Sequence, residues 1–183
     1  MSMELRRERI VRRALSVALL ALLVGAEASS GAPRPKAVWA TVNVCDTERY
    51  PNTMGVRGSM PGNGTRELMF MRFRAQRYDS SRKSWFPVKG RDGRPAVSRW
   101  IFTGSARAKA SQAGWNFTFG NLTPGTTYVF RGVADFEWRA RRWIKGRLRT
   151  VVVRTAHAKT KAGFRSTVGA DPPGYSSGTC EIF

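Results

Sequence analysis

Histidine is almost missing from this 183-residue chain: His157 is the only one. Cysteine is limited to Cys45 and Cys180, and acidic residues number 12 against 32 basic ones. Each scarcity excludes something. Two cysteines and one histidine show no metal-ligand spacing, so no metal or cofactor is expected. A hydrolytic triad needs a nucleophile, a base and a carboxylate held together. His157 sits in a polar, lysine-flanked stretch with no Gly-x-Ser-x-Gly elbow anywhere in the chain, so it reads as a surface histidine. The glycine-rich Met60-Pro61-Gly62-Asn63-Gly64-Thr65 lacks the Lys-Ser/Thr ending of a phosphate loop and reads as a surface loop. Asp135 and Glu137 fall on one strand face, but Arg131, Arg139 and Arg141 crowd them. Such neighbours hold carboxylates ionised, which suits salt bridging and not general acid chemistry. No catalytic residue is assigned and no enzyme is expected.

Long apolar runs are also lacking. The one run present, Ala14 to Val24, is too short for a bilayer core that needs roughly 20 residues. Arg6, Arg7, Arg9, Arg12 and Arg13 precede it, and Ala26-Glu27-Ala28 with Ser29, Ser30 and Gly31 follow. Basic start, short apolar stretch and small residues are the layout of a secretory signal. Residues 1–28 are therefore read as a signal peptide and 29–35 as a linker, with an uncleaved anchor as the competing reading. The expected location is secreted or at the cell surface, with no membrane span once the signal is removed. In an oxidising compartment two cysteines are most simply one disulfide, Cys45–Cys180, against the alternative of two buried thiols.

The rest is strand-like. Val38, Ala40, Val42 and Val44 alternate with polar or aromatic neighbours, and a short strand is expected at Met54–Met60. Leu68–Tyr78 puts Met69, Met71, Phe73 and Ala75 on one face and Arg72, Arg74 and Gln76 on the other. Ser84–Val88, Ser98–Phe102 and Gly114–Phe119 read as further strands, and Ala106–Ala113 as a loop. Thr126–Trp138 is the best patterned: Tyr128, Phe130, Gly132, Ala134, Phe136 and Trp138 share a face, while Arg131, Asp135 and Glu137 share the other. Arg139-Ala140-Arg141-Arg142 is the expected hairpin tip, with Trp143–Thr155 returning. Short strands with turn signals and no convincing helix predict an all-β protein, an antiparallel β-sandwich spanning 36–156. The Gly/Ser/Pro-rich tail, 157–183, would be pinned by Cys45–Cys180.

One segment carries a resemblance. Leu122-Thr123-Pro124-Gly125-Thr126-Thr127-Tyr128-Val129-Phe130-Arg131-Gly132-Val133-Ala134 resembles the corner and following strand of fibronectin type III and related immunoglobulin-like domains. The resemblance implies that Leu122 and Tyr128 are the structural corner, with the tyrosine hydroxyl bonding back to the corner backbone. It implies nothing about a ligand. The whole chain also looks like uncharacterised exported proteins of high-GC bacteria, a likeness that brings no activity with it.

Charge is the remaining feature. Without residues 1–28 the chain keeps 27 basic and 9 acidic residues, a formal charge of +18. The densest part is Arg139, Arg141, Arg142, Lys145, Arg147 and Arg149, with Trp143 in their midst. Cations interleaved with an aromatic can hold a polyanion through charge and stacking. The expected function is a non-catalytic binding module for an anionic cell-surface polymer, a glycan or an extracellular protein; sequence-specific nucleic-acid recognition is not expected. The alternative is a structural or protein–protein module whose charge is incidental, and a hydrolase ranks last.

Overall fold

The computed structural model describes residues 38–164 and 167–183. The expected signal peptide and linker lie outside these residues. Nine strands are described: β1 (Trp39–Thr47), β2 (Tyr50–Pro61), β3 (Leu68–Asp79), β4 (Ser84–Pro87), β5 (Ile101–Ser105), β6 (Ala110–Thr118), β7 (Tyr128–Ile144), β8 (Arg147–Lys159) and β9 (Cys180–Ile182). They form two antiparallel sheets. The first has the order β1-β2-β6; the second runs β4-β3-β7-β8, with β5 also on β3 and β9 also on β7.

Alternation decides which side of each strand is inside. Ala40, Val42, Met54, Val56 and Met60 of the first sheet are buried together with Met69, Met71, Phe73, Phe130, Ala134, Phe136 and Trp138 of the second. Burial of each large side chain contributes roughly 1.5–3 kcal/mol, so this shared layer is the main source of stability. The sheets approach closely where glycine replaces a side chain. A Cβ on Gly58 would lie 3.2 Å from Phe73 and 3.4 Å from Phe136. The arrangement is compatible with a β-sandwich.

The two flanks differ. On the β1 side the chain after β8 seals the gap. Lys161 N–H donates to Ala40 O, Val42 and Ser177 exchange both backbone hydrogen bonds, and Asp171 N–H donates to Asn43 O. β9 then pairs with the first residues of β7. The disulfide Cys45–Cys180, with Cα atoms 5.3 Å apart, joins β1 of one sheet to β9 of the other. On the opposite flank β6 and β4 are edge strands that do not pair with each other.

Three local expectations shift. The strand expected at Ser98–Phe102 lies at Ile101–Ser105, because Ser98 is held aside by Phe73, whose N–H donates to Ser98 Oγ at 2.9 Å. Half of the expected loop Ala106–Ala113 is strand, since Ala110–Ala113 pair with Pro61–Gly58. The hairpin turn is not at Arg139–Arg142, which belong to β7. It falls at Lys145 (φ 48°) and Gly146 (φ 73°), the two positive-φ positions of a type I′ connection.

Candidate functional site

β3 supports β7 only as far as the pair Leu68–Arg139. Beyond it, from Ala140–Val151 to Ile144–Arg147, β7 and β8 pair only with each other among the described residues. The register puts Arg142 opposite Arg149 and Ile144 opposite Arg147 on one face. On the other face Arg141 meets Thr150 and Trp143 meets Leu148. Every residue from Arg141 to Thr150 is exposed, and Trp143 is 74% exposed, more than Ile144 or Leu148.

This ribbon is under electrostatic load. Among the described residues, no ion pair involves Arg141, Arg142, Lys145, Arg147 or Arg149. Along the chain, the carboxylates nearest to them are Glu137 and Asp171. Like charges directly opposite on paired strands destabilise the pair, as Arg142 and Arg149 do here. A two-stranded ribbon without a third strand is itself marginal in water. An anion lying across the ribbon would relieve the repulsion and bring the two strands' cations into use.

Arg139 does not join that group. Its Nη2 is 2.7 Å from Glu137 Oε2, and its guanidinium lies 4.1 Å from the Phe70 ring and 5.1 Å from Trp100. It belongs to an arginine–aromatic array across the outer face of the second sheet. Arg72 lies 4.6 Å from the Trp100 ring and, with Arg74, holds Asp135: Arg74 Nη2 to Oδ1 at 2.7 Å and Arg72 Nη2 to Oδ2 at 3.2 Å. Arg131 donates to Gln76 Oε1 at 2.8 Å and lies 4.3 Å from the Trp85 ring; desolvation holds its pKa below the ordinary value. The partners of Asp135 thus come from β3, not from its own strand. The signal was the row Arg72, Arg74 and Gln76 on the wet face of Leu68–Tyr78, which needs the β3–β7 register before it can be matched to Asp135.

His157 lies within β8, opposite Asp135, and is exposed. No cluster of three or more histidine, cysteine, aspartate or glutamate side chains able to hold a metal occurs among the described residues. No helix among them is long and apolar enough to cross a membrane. At the β6–β7 corner, Leu122 packs against the core, and the Tyr128 hydroxyl accepts a hydrogen bond from Thr123 N–H at 3.3 Å. Hydrogen bonding to the Thr123 side chain, and then to its backbone N–H, draws the phenol below its ordinary pKa.

The unpaired flank opens into a groove of about 970 Å³ between the sheets. Phe86 and Val97 line it from one side and Trp115 and Phe117 from the other, with Lys89 and Arg91 also in the lining. Asp135, Glu137 and His157 are not part of it. The groove offers aromatic contact area and positive charge. No protein-family model, curated protein or solved structure matches this chain.

Proposed function

We propose that the protein is an exported, non-catalytic binding module that holds an anionic cell-surface polymer or glycan along the β7–β8 ribbon. One observation carries this reading: among the described residues, five exposed cations without carboxylate partners, together with the exposed Trp143, are spread over the two faces of a ribbon that no other strand covers. On one face the polymer's charges would neutralise Arg142, Arg147 and Arg149; on the other, Arg141 would hold an anionic group beside Trp143, which would supply a flat face for a ring. Export is supported by the secretory layout of residues 1–28 and by a disulfide, which fits an extracytoplasmic protein. The fibronectin type III or immunoglobulin-like reading of the fold rests on the Leu122–Tyr128 corner and its hydrogen bond to Thr123.

The test is binding of the mature domain to DNA, an anionic wall polymer and a neutral polysaccharide across a salt series. Binding to one anionic polymer that survives moderate salt supports a shaped site. Equal binding to every polyanion, vanishing with salt, would reduce the ribbon to diffuse charge. A protein partner is the second reading, favoured by Phe102, which is 57% exposed at the edge of the arginine–aromatic face.

A further inference from the structure

The outer face of the first sheet holds an arginine, Arg57, that forms no ion pair among the described residues. Arg57 projects from β2 beside Gly114 of β6 and beneath Gly169 of the tail: a Cβ on Gly114 would lie 3.0 Å from its Cζ, and one on Gly169 would lie 2.8 Å from Nη2. The side chain is therefore clamped between two side-chain-free positions. Among the described residues its guanidinium has no carboxylate partner, and its Nε–H is shielded from solvent without an acceptor. A buried donor left unpaired costs free energy, and a guanidinium held in place by packing is already ordered for a ligand.

Two carboxamides complete the surroundings. Asn43 donates through Nδ2 to Gly169 O at 2.9 Å, which turns its Oδ1 toward Gly55. Asn116 approaches Gly55 from the other side: a Cβ there would lie 3.0 Å from Asn43 Oδ1 and 2.9 Å from Asn116 Oδ1. The two acceptors thus converge above a bare stretch of backbone. Arg57, Asn43 and Asn116, with Tyr50, line one depression of about 480 Å³ in which, among the described residues, Arg57 is the only charged side chain.

We infer that this depression binds the carboxylate-bearing ring of an acidic sugar, a uronic acid. One guanidinium, planar and forked, matches one carboxylate. The converging carboxamide oxygens accept from ring hydroxyls, which a simple anion lacks. Tyr50 offers the apolar body and polar tip that sugar rings pack against. The site is separate from the β7–β8 ribbon, since it lies on the other sheet, and it stands whether or not the ribbon binds a polymer.

The experiment is titration of the mature domain with D-glucuronate, glucose and acetate, followed by backbone and arginine side-chain NMR. Glucuronate is expected to shift Arg57, Asn43 and Asn116 resonances, with glucose and acetate each binding at least tenfold more weakly. Arg57→Gln and the exposed Asn116→Ala should each weaken glucuronate by several-fold or more while the remaining spectrum stays folded. A variant with Arg141, Arg142 and Arg147 all changed to Glu should bind glucuronate as the parent does, which separates this site from the ribbon. Equal affinity for acetate would overturn the sugar assignment. Absent binding, or binding indifferent to Arg57→Gln, would overturn the site.

Discussion

Val56 occupies the space that a side chain on Gly132 would need: a Cβ there would fall 2.5 Å from Val56 Cγ2 and 2.7 Å from Cγ1. The sheets pack tightly at this point, and Gly132 is also tied to the residue after β8, accepting from Thr160 N–H at 3.0 Å and donating to Thr160 Oγ1 at 3.1 Å. Gly132→Ala is expected to destabilise the domain by about 1–3 kcal/mol through overpacking. Adding Val56→Ala should recover part of that loss. Denaturant midpoints of the two single variants and the double variant check it, and strictly additive effects would show that the two residues do not contend for the same space.

The arginines of β7 should divide into two classes. Arg139→Ala removes a short charged hydrogen bond and two ring contacts, and should cost about 1–3 kcal/mol of stability. Changing Arg141 and Arg142 to Glu should leave the thermal midpoint within a few degrees while weakening polyanion binding. If Arg139→Ala proved neutral to stability and damaging to binding, the boundary drawn between array and ribbon would be misplaced.

Tyr128→Phe deletes only the hydroxyl that accepts from Thr123. A small but measurable loss of stability is expected from the missing hydrogen bond. Urea unfolding of the pair of proteins measures it. A difference near zero would mean that the corner is held by Leu122 packing alone.

Asp79 closes the turn from β3 to β4, accepting from Ser81 Oγ at 2.6 Å and from the backbone N–H groups of Ser81 and Arg82. The Ser81 hydroxyl is the largest cause, and the carboxyl is held below its ordinary value of 3.8. A depressed carboxyl stabilises the fold above its unfolded pKa and loses that effect as pH falls through the lower folded value. Carbon-detected NMR titration should place Asp79 below 3.8, and Ser81→Ala should raise it. An unshifted carboxyl in the parent would contradict the turn geometry.

Strands with one wet and one dry face were legible in the sequence because burial imposes a period of two. Leu68–Tyr78 and Thr126–Trp138 therefore read almost as they fold. Arg139–Arg142 misled because four mostly charged residues look like a turn, whereas extended backbone needs only pairing, which Thr150 and Arg149 supply. The better turn signal was Lys145-Gly146, where glycine accepts the positive φ at no steric cost. Arg57 was not distinguishable among 25 arginines. What singles it out is the alignment of Gly55, Gly114 and Gly169 from three distant segments, a relationship that exists only after the register is set.

The covalent link between Cys45 and Cys180 also changes how the domain would respond to tension. A pull applied at Val38 and Phe183 enters through a few residues at each end, and then meets the disulfide. Force passes across that bond and bypasses the 134 residues between the two cysteines, because they lie in a closed loop. The ribbon and the part of the core that lies between the two cysteines would stay unstretched while the bond holds, whereas Ala40, Val42 and Asn43, ahead of Cys45, would carry the load. Reduced, the same chain would have to resist load with its β1–β2 and β7–β9 hydrogen bonds, so its extensibility becomes a readout of the redox state around it.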